Sequence, residues 1–311
     1  MAKKILVLGS SNADLIFRVP RFNQPGETIA AENLITAFGG KGANQAIAAK
    51  RLGGNVSLIT KLGDDSYGRS YVKYFVKNGL PRKFLLLDEK LPTGVAVIEL
   101  NPGGENRIVV SRGSNKSLSP KDLRKFIQVW PSINVFVAQL EIPLPTVRMA
   151  LQAAKTHGAL TLLNPSPSIP LPPEFLSLVD FLVPNELEAQ ALTGIKMKTN
   201  RDLPRVAKRL LNRGVKNVVI TLGSKGFFFK NADGKIWRKA FPIKAVDTTA
   251  AGDAFMGALA VGLSEGQTIP YALSFASAAG ALAATKLGAQ PSLPVRSELD
   301  RFLARQAKRQ I

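Results

Sequence analysis

The sequence predicts an α/β fold, a mostly parallel, Rossmann-like sheet flanked by helices, with a small β-sheet lid, all in one domain over residues 1–311. Three observations carry this reading. Short β-rich apolar runs alternate with helical patterns along most of the chain. Two segments, near residues 15–40 and 93–111, each carry β-type sequence uninterrupted by a helical pattern. Polar residues follow nearly every strand of the alternating series, with Asn12 and Asp14 after the first and Asp64 and Asp65 after the second, where open parallel sheets bind ligands.

The strands are expected at Lys4–Gly9, Val56–Leu62, Asn134–Leu140, Leu160–Leu163, Phe181–Val183 and Asn217–Leu222. Helices are expected at Asn44–Leu52, Tyr67–Lys77 and Thr146–His157, with Gly79 and Gly158 as C-terminal stops. In Arg201–Arg213, residues Leu203, Val206, Ala207, Leu210 and Leu211 recur at helical spacing, with Arg205, Lys208 and Arg209 off that stripe. In the lid, Thr93–Leu100 and Arg107–Val110 read as strands joined by a Pro102-Gly103-Gly104 turn. Insertions of this size in an α/β chain often cover an active site.

Composition narrows the chemistry. A 45% hydrophobic content supports a large core, and the absence of cysteine excludes disulfides, Cys-ligated zinc and a thiol nucleophile. A single histidine, His157, argues against imidazole metal sites and Ser-His-Asp relays, and its place late in a helical pattern reads as structural. No window approaches 18 consecutive apolar residues, and the N-terminus reads as a first strand rather than a signal peptide, so the expectation is a soluble, cytoplasmic chain. The formal charge of +20 has two readings, a nucleic-acid binder or a basic surface that attracts polyanions such as ATP. Its positives are spread over many segments, including Lys121–Lys125 and Arg301–Arg309, with no aromatic cluster among them, which favours the second.

Two motifs bear on function. Gly39-Gly40-Lys41-Gly42-Ala43-Asn44 leads into a helix, where glycines let backbone amides approach a ligand and the helix start offers free N–H donors. The spacing is not that of a P-loop. Asp247-Thr-Thr-Ala-Ala-Gly-Asp253 precedes the small, apolar run Ala254–Leu263, and reads as a turn into a buried helix whose first amides form an anion hole. Asp253 there is either a general base for a substrate hydroxyl or a helix cap, and local sequence leaves both open.

Together these motifs resemble the paired signatures of the PfkB, or ribokinase-like, family of carbohydrate kinases, and the resemblance runs over essentially the whole chain. Gly9-Ser-Ser-Asn-Ala-Asp14, Phe38-Gly-Gly-Lys-Gly-Ala-Asn-Gln45, Gln139-Leu-Glu141, Pro184-Asn185 and Ala245–Asp253 occur in family order. They fit the branch that uses ATP to phosphorylate D-ribose at O5, with deoxyribose, fructose or a nucleoside as alternative acceptors. A non-catalytic sugar or nucleic-acid binder on the same fold is a third reading, opposed by intact Asp253, Gly252 and Asn185.

The resemblance implies roles position by position. Asn12, Asp14, Gly40, Lys41, Gly42, Asn44 and Glu141 would hold the sugar, and Asp253 would act as base. Ala250, Ala251 and Gly252 would form the anion hole, with Asn185, Thr221, Gly223, Ser224, Gly226, Gly252 and Ser277 along ATP. Glu188, in the Asn185-x-x-Glu188 element, would meet Mg²⁺ through water. Asp247 and Ser292, with carbonyls of Thr249, Ala283, Lys286 and Gly288, would hold an activating K⁺. A homodimer joined through the lid is also implied. Two positions depart from common family usage, Ala250 where many members have Gly and Ser277 where His is common.

Overall fold

The structure, a computed structural model, describes residues 3–103 and 105–308, with Lys308 described through its backbone. Gly104 of the expected lid turn and Arg309 of the last basic segment lie outside the described residues.

The first strand, β1 (Lys4–Leu8), follows the two-residue period of a strand buried on both faces. Ile5 and Val7 enter one core, Leu6 and Leu8 the other. The chain continues through β2 (Asn12–Arg18), β3 (Asn33–Gly39), α1 (Lys41–Arg51) and β4 (Asn55–Gly63). Next come α2 (Ser66–Lys77), β5 (Leu85–Asp88), β6 (Gly94–Leu100) and β7 (Asn106–Ser111). The alternation resumes with α3 (Pro120–Leu123), β8 (Ile133–Ala138), α4 (Leu144–Thr156) and β9 (Leu160–Leu163). It extends through α5 (Pro173–Leu176), β10 (Phe181–Leu182), α6 (Glu186–Thr193), α7 (Leu203–Leu211) and β11 (Asn217–Thr221). A hairpin of β12 (Phe227–Lys230) and β13 (Lys235–Arg238) precedes α8 (Ala251–Ser264), α9 (Ile269–Ala283) and α10 (Arg296–Lys308).

The main sheet has the order β13-β12-β11-β10-β9-β8-β1-β4-β5. Every pair from β11 to β5 is parallel, and only the β12–β13 edge is antiparallel. Strand order reverses direction at β1, which lies between β8 and β4. That reversal opens a crevice beyond the carboxyl ends of β1 and β8, the place where such sheets bind ligands. Side chains from α1, α2, α8, α9 and α10 fill the core on one face, including Ile47, Phe75, Met256, Phe275 and Leu299. Those of α3 to α7 fill the other, including Leu123, Val147, Phe175, Leu192 and Val206. Gly79 and Gly158, the expected helix stops, both take positive φ just past α2 and α4.

The lid is a second sheet, β3-β2-β6-β7, anchored on the main body by aromatic packing. Phe38 lies 4.5 Å, centroid to centroid, from both Tyr71 and Tyr74 of α2, and the Tyr71 hydroxyl donates to the Gly39 carbonyl.

Three expectations need correction. The lid strand β2 begins at Asn12, so Asn12 and Asp14 sit on the lid itself rather than in a loop after β1. The helix after the glycine motif starts at Lys41, not Asn44, because Gly40 at φ 88° already turns the chain. The polar end of β4 serves the scaffold. Asp65 caps α2 by accepting from Gly68 N (2.8 Å), and also accepts from Thr93 N (2.7 Å) and Thr93 Oγ1 (2.8 Å), tying the root of β6 to the body. Asp64 pairs with Arg69 at the surface.

Candidate active site

The crevice at the β1/β8 reversal is built by unusually close chain packing. A Cβ on Gly42 would lie 2.5 Å from the Gly9 carbonyl carbon, and one on Gly40 would lie 2.8 Å from Asn12 N. These glycines therefore let the first turn of α1 rest on the β1–β2 connection, which is a scaffold requirement in addition to any ligand approach. The first turn of α1 also receives a carboxylate. Glu141, from the loop after β8, accepts from Lys41 N (3.1 Å) and from the Ser10 hydroxyl, a placement favoured by the positive end of the helix.

Lid residues close the same space. Asn12 Oδ1 accepts from Asn115 Nδ2 (2.8 Å), and Asn115 also bonds Ser11 N (3.0 Å) and Ser11 O (3.2 Å). Asp14 is 8% exposed. Burial, and then repulsion from Glu141 and Asp253, push its carboxyl from 3.8 up to about 7. Burial of the Lys41 ammonium acts to lower its pKa, but Asp253, Glu141 and Glu188 outweigh it and hold the group above its ordinary value.

Asp253 lies in the first turn of α8, and the structure decides one of the two readings of it. The N-cap of α8 is Ala250, without a side-chain cap bond, so Asp253 is not the cap. Its carboxylate instead accepts from Asn44 Nδ2 and Gln45 Nε2 of α1, each at 2.9 Å. Burial holds its carboxyl above the ordinary range, against the pull of Lys41 and these two amides. Ala250 has φ 59°, the one positive φ outside glycine among the described residues, which costs a non-glycine residue roughly 1–2 kcal/mol. Such strain at a helix start that carries candidate chemistry is a common location for it. Gly252 is exposed, and a Cβ there would meet nothing within 4 Å. The first-turn amides have no carbonyl partner within the helix, although Ala251 N donates to Thr248 O at 3.2 Å in the preceding turn.

The nucleotide-side expectations fall along the next strand ends. Asn185 and Thr221 are joined by a parallel bridge. Asn185 caps α6, accepting from Glu188 N (2.8 Å), while Glu188 accepts from Asn185 N (2.8 Å). The Asn-x-x-Glu element is thus a capping box, a role the sequence reading did not assign. Burial raises the Glu188 carboxyl despite that bond. Gly223 and Gly226 take positive φ around the exposed Ser224, and Ser277 lies half-buried on α9.

Around the expected cation loop, Asp247 accepts from Thr249 N and Gly288 N, each at 2.8 Å, and these bonds keep its carboxyl below the ordinary range against the effect of burial. Ser292 Oγ donates to Ala289 O (2.7 Å), and Ala283 O accepts from Lys286 N (3.1 Å). Among the described residues no group of three or more His, Cys, Asp or Glu side chains gathers as a direct metal cage. Among the described residues His157 bonds only its own helix, Nδ1 to Ala153 O at 2.9 Å.

Sequence reasoning did not assign roles to Ser10, Asn115, Gln45, Gln139 or Asn164. Gln45 and Gln139 stood inside recognised segments. Asn115 had no local signal, since it acts across 103 residues from a 3-10 turn.

A parallel sheet that gathers a buried carboxylate, a lysine and a helix N-terminus at its reversal point defines an α/β enzyme built for group transfer. The chain belongs to the pfkB family of carbohydrate kinases, whose model matches residues 2–296. It is 40% identical over 303 residues to a ribokinase of Haemophilus influenzae, covering 97% of this chain and 99% of that one. It is 34% identical over 304 residues to a deoxyribokinase of Salmonella typhi, covering 96% and 98%. A ribokinase of Arabidopsis thaliana, solved with ribose and ATP, superimposes with a TM-score of 0.90 at 32% identity, covering 97% and 99%.

Proposed function

We propose that this chain transfers the γ-phosphoryl group of ATP to O5 of D-ribose, with Asp253 as general base. The observation that carries the reading is the grip on Asp253, a buried carboxylate beside Lys41 that is held by Asn44 and Gln45 and spared from capping. Its raised pKa suits a base that takes a hydroxyl proton near neutral pH.

Asn12, Asp14, Lys41, Asn44 and Glu141 hold the sugar, with Gly40 and Gly42 shaping the wall. Buried Asn44 Oδ1 has no hydrogen-bond partner among the described residues, which supports its use as an acceptor for a sugar hydroxyl. Asp253 removes the O5 proton as O5 bonds to the γ-phosphorus and the bond to the β-phosphate oxygen breaks. Amides of Ala250, Ala251 and Gly252 hold the charge that develops on the phosphoryl oxygens, as helix N-termini do. Asn185, Thr221, Gly223, Ser224, Gly226, Gly252 and Ser277 line the nucleotide.

Glu188, a buried carboxylate near Lys41 and Asp253, fits a role toward Mg²⁺ through water, and the ion would supply neutralising charge to the phosphates. The ionised Asp247 carboxylate, each oxygen keeping a lone pair, fits an oxygen-lined K⁺ site with Ser292 and the carbonyls of Thr249, Ala283, Lys286 and Gly288. These groups would hold the ion, whose charge would order the loop that leads into α8. A homodimer through the lid is supported by exposed apolar side chains on its outer strands β3 and β7, with Leu34 (54% exposed) and Val109 (72%) on one face of the sheet and Ile108 (54%) on the other. A cytoplasmic setting, where ATP is made, belongs to the same reading, and no helix among the described residues is long and apolar enough to cross a membrane.

The test is ATP consumption over a panel of pentoses, hexoses and nucleosides. D-ribose should give the highest kcat/KM. Preference for deoxyribose, the reading favoured by the deoxyribokinase likeness, would reassign the acceptor. Asp253→Asn should lower kcat by roughly 10² to 10⁴ with ATP binding retained, and near-parental turnover would refute the base.

A further inference from the structure

We propose that Gln45, held in one orientation by Gln139, is a positioning residue that aims the Asp253 carboxylate at the acceptor hydroxyl. The inference rests on Asp253 being the base, and adds what makes that carboxylate point one way.

Gln45 and Gln139 are both fully buried. The Gln45 amide is used on both sides. Nε2 donates to Asp253 Oδ1 at 2.9 Å and, at a longer 3.4 Å, to Asn164 Oδ1. Its Oε1 accepts from Gln139 Nε2 at 2.6 Å. An amide turned end for end would set Oε1 against two acceptor oxygens and Nε2 against a donor, losing all three contacts. The chain of amides therefore has a direction, from Gln139 through Gln45 to Asp253, which suits an ionised carboxylate at its end. Gln139 keeps this orientation although its own buried Oε1 has no partner among the described residues.

Asn44 grips the other oxygen, Oδ2. Bonds to both oxygens fix the plane of the carboxylate and leave each a second lone pair for a proton. Asn44 also turns an unpartnered Oδ1 toward other use, whereas Gln45 is committed to Asp253. Other charged groups around the carboxylate are Lys41 on α1, Asp14 on β2, Glu141 after β8 and Glu188 on α6. These groups are unchanged in the variants below, so a shift between parent and variant reports the amide.

The experiment is kcat against pH for the full chain at saturating Mg-ATP and D-ribose. Gln45→Leu should lower kcat about tenfold and change either KM less than about twofold. Its acid limb should move up by roughly one pH unit, because a carboxylate that loses a donor holds its proton more tightly. Gln139→Leu should move the limb in the same direction by less, since Gln45 remains but can turn over. Thermal melts check that each variant folds, and if Gln45→Leu does not, the Gln139→Leu limb decides. Acid limbs that coincide with the parent's, or an effect confined to KM, overturn the proposal. Asp253→Asn in the same assay separates the two ideas. Near-parental turnover there refutes the base itself, while an inactive Asp253→Asn beside parent-like limbs refutes only the positioning role.

Discussion

Asp14→Asn should make the sugar-free protein more stable at pH 8 and leave it nearly unchanged at pH 4. Burial and two neighbouring carboxylates raise the Asp14 carboxyl from 3.8 to about 7. Between those values the folded protein holds a proton that the unfolded chain has released. Stability contributed by this group therefore falls as pH rises through the window, and stays low above it. The gap corresponds to about 4 kcal/mol at 1.36 kcal/mol per pH unit. Asparagine carries no charge at either pH, so its advantage should grow from near zero at pH 4 to on the order of 4 kcal/mol at pH 8. Urea midpoints of parent and variant at both pH values measure the difference, and pairing them cancels the titration of other groups. The same substitution should raise KM for the sugar by about 10- to 100-fold through the loss of a charged acceptor. In the parent, KM should fall as pH rises through about 7. An equal stability difference at both pH values, or a less stable variant at pH 8, would refute the argument.

Activity should be higher in K⁺ than in Na⁺ at equal ionic strength, and Asp247→Asn should erase the difference; a parent indifferent to the ion removes the proposed site. Asp65→Ala should lower stability by about 1–2 kcal/mol, since it deletes a helix cap and the tie to Thr93. It should also raise KM for the sugar by loosening the root of β6, and an unchanged KM would detach the lid from that tie. Val109→Lys, at a lid position that is 72% exposed, should turn a dimer into a monomer in analytical ultracentrifugation with the melting temperature little changed. A monomeric parent, or a dimeric variant, refutes the lid interface.

What was legible in the sequence follows from which forces are local. Strand Leu160–Leu163 and helix α2 were readable to within a residue, because burial on one or both faces prints a period on the chain. The start of β2 was not readable, since Asn12 and Asp14 look like loop residues until their partners are known. Asn12 is buried because Asn115 satisfies it, and that pairing spans 103 residues. The β12–β13 hairpin was also not placed, because an apolar run such as Phe227–Phe229 carries no information about strand direction. For Asp253 the difficulty was one of register. A carboxylate near the start of an apolar helix looks like a cap, and only the left-handed Ala250, an unusual residue for that conformation, moves the helix start ahead of it.

In the Asn185-x-x-Glu188 element one spacing serves the fold and, on the proposed reading, the metal as well. As a capping box it satisfies backbone donors at the start of α6. The same reciprocal bonds hold a buried carboxylate, against the cost of desolvation, beside Lys41 and Asp253. Replacing Glu188 by Gln would keep a capping side chain and remove the charge, so helix stability and Mg²⁺ response are separable in principle at this one position. The site as a whole sets several carboxylates (Asp14, Glu141, Glu188 and Asp253) around one lysine inside a protein of net charge +20. A basic exterior draws ATP in at long range, but the acidic interior repels bare phosphates. On the proposed assignment the nucleotide would therefore be best accepted as its metal complex, with its phosphates against the amides of the α8 start rather than against the carboxylates proposed to hold the sugar.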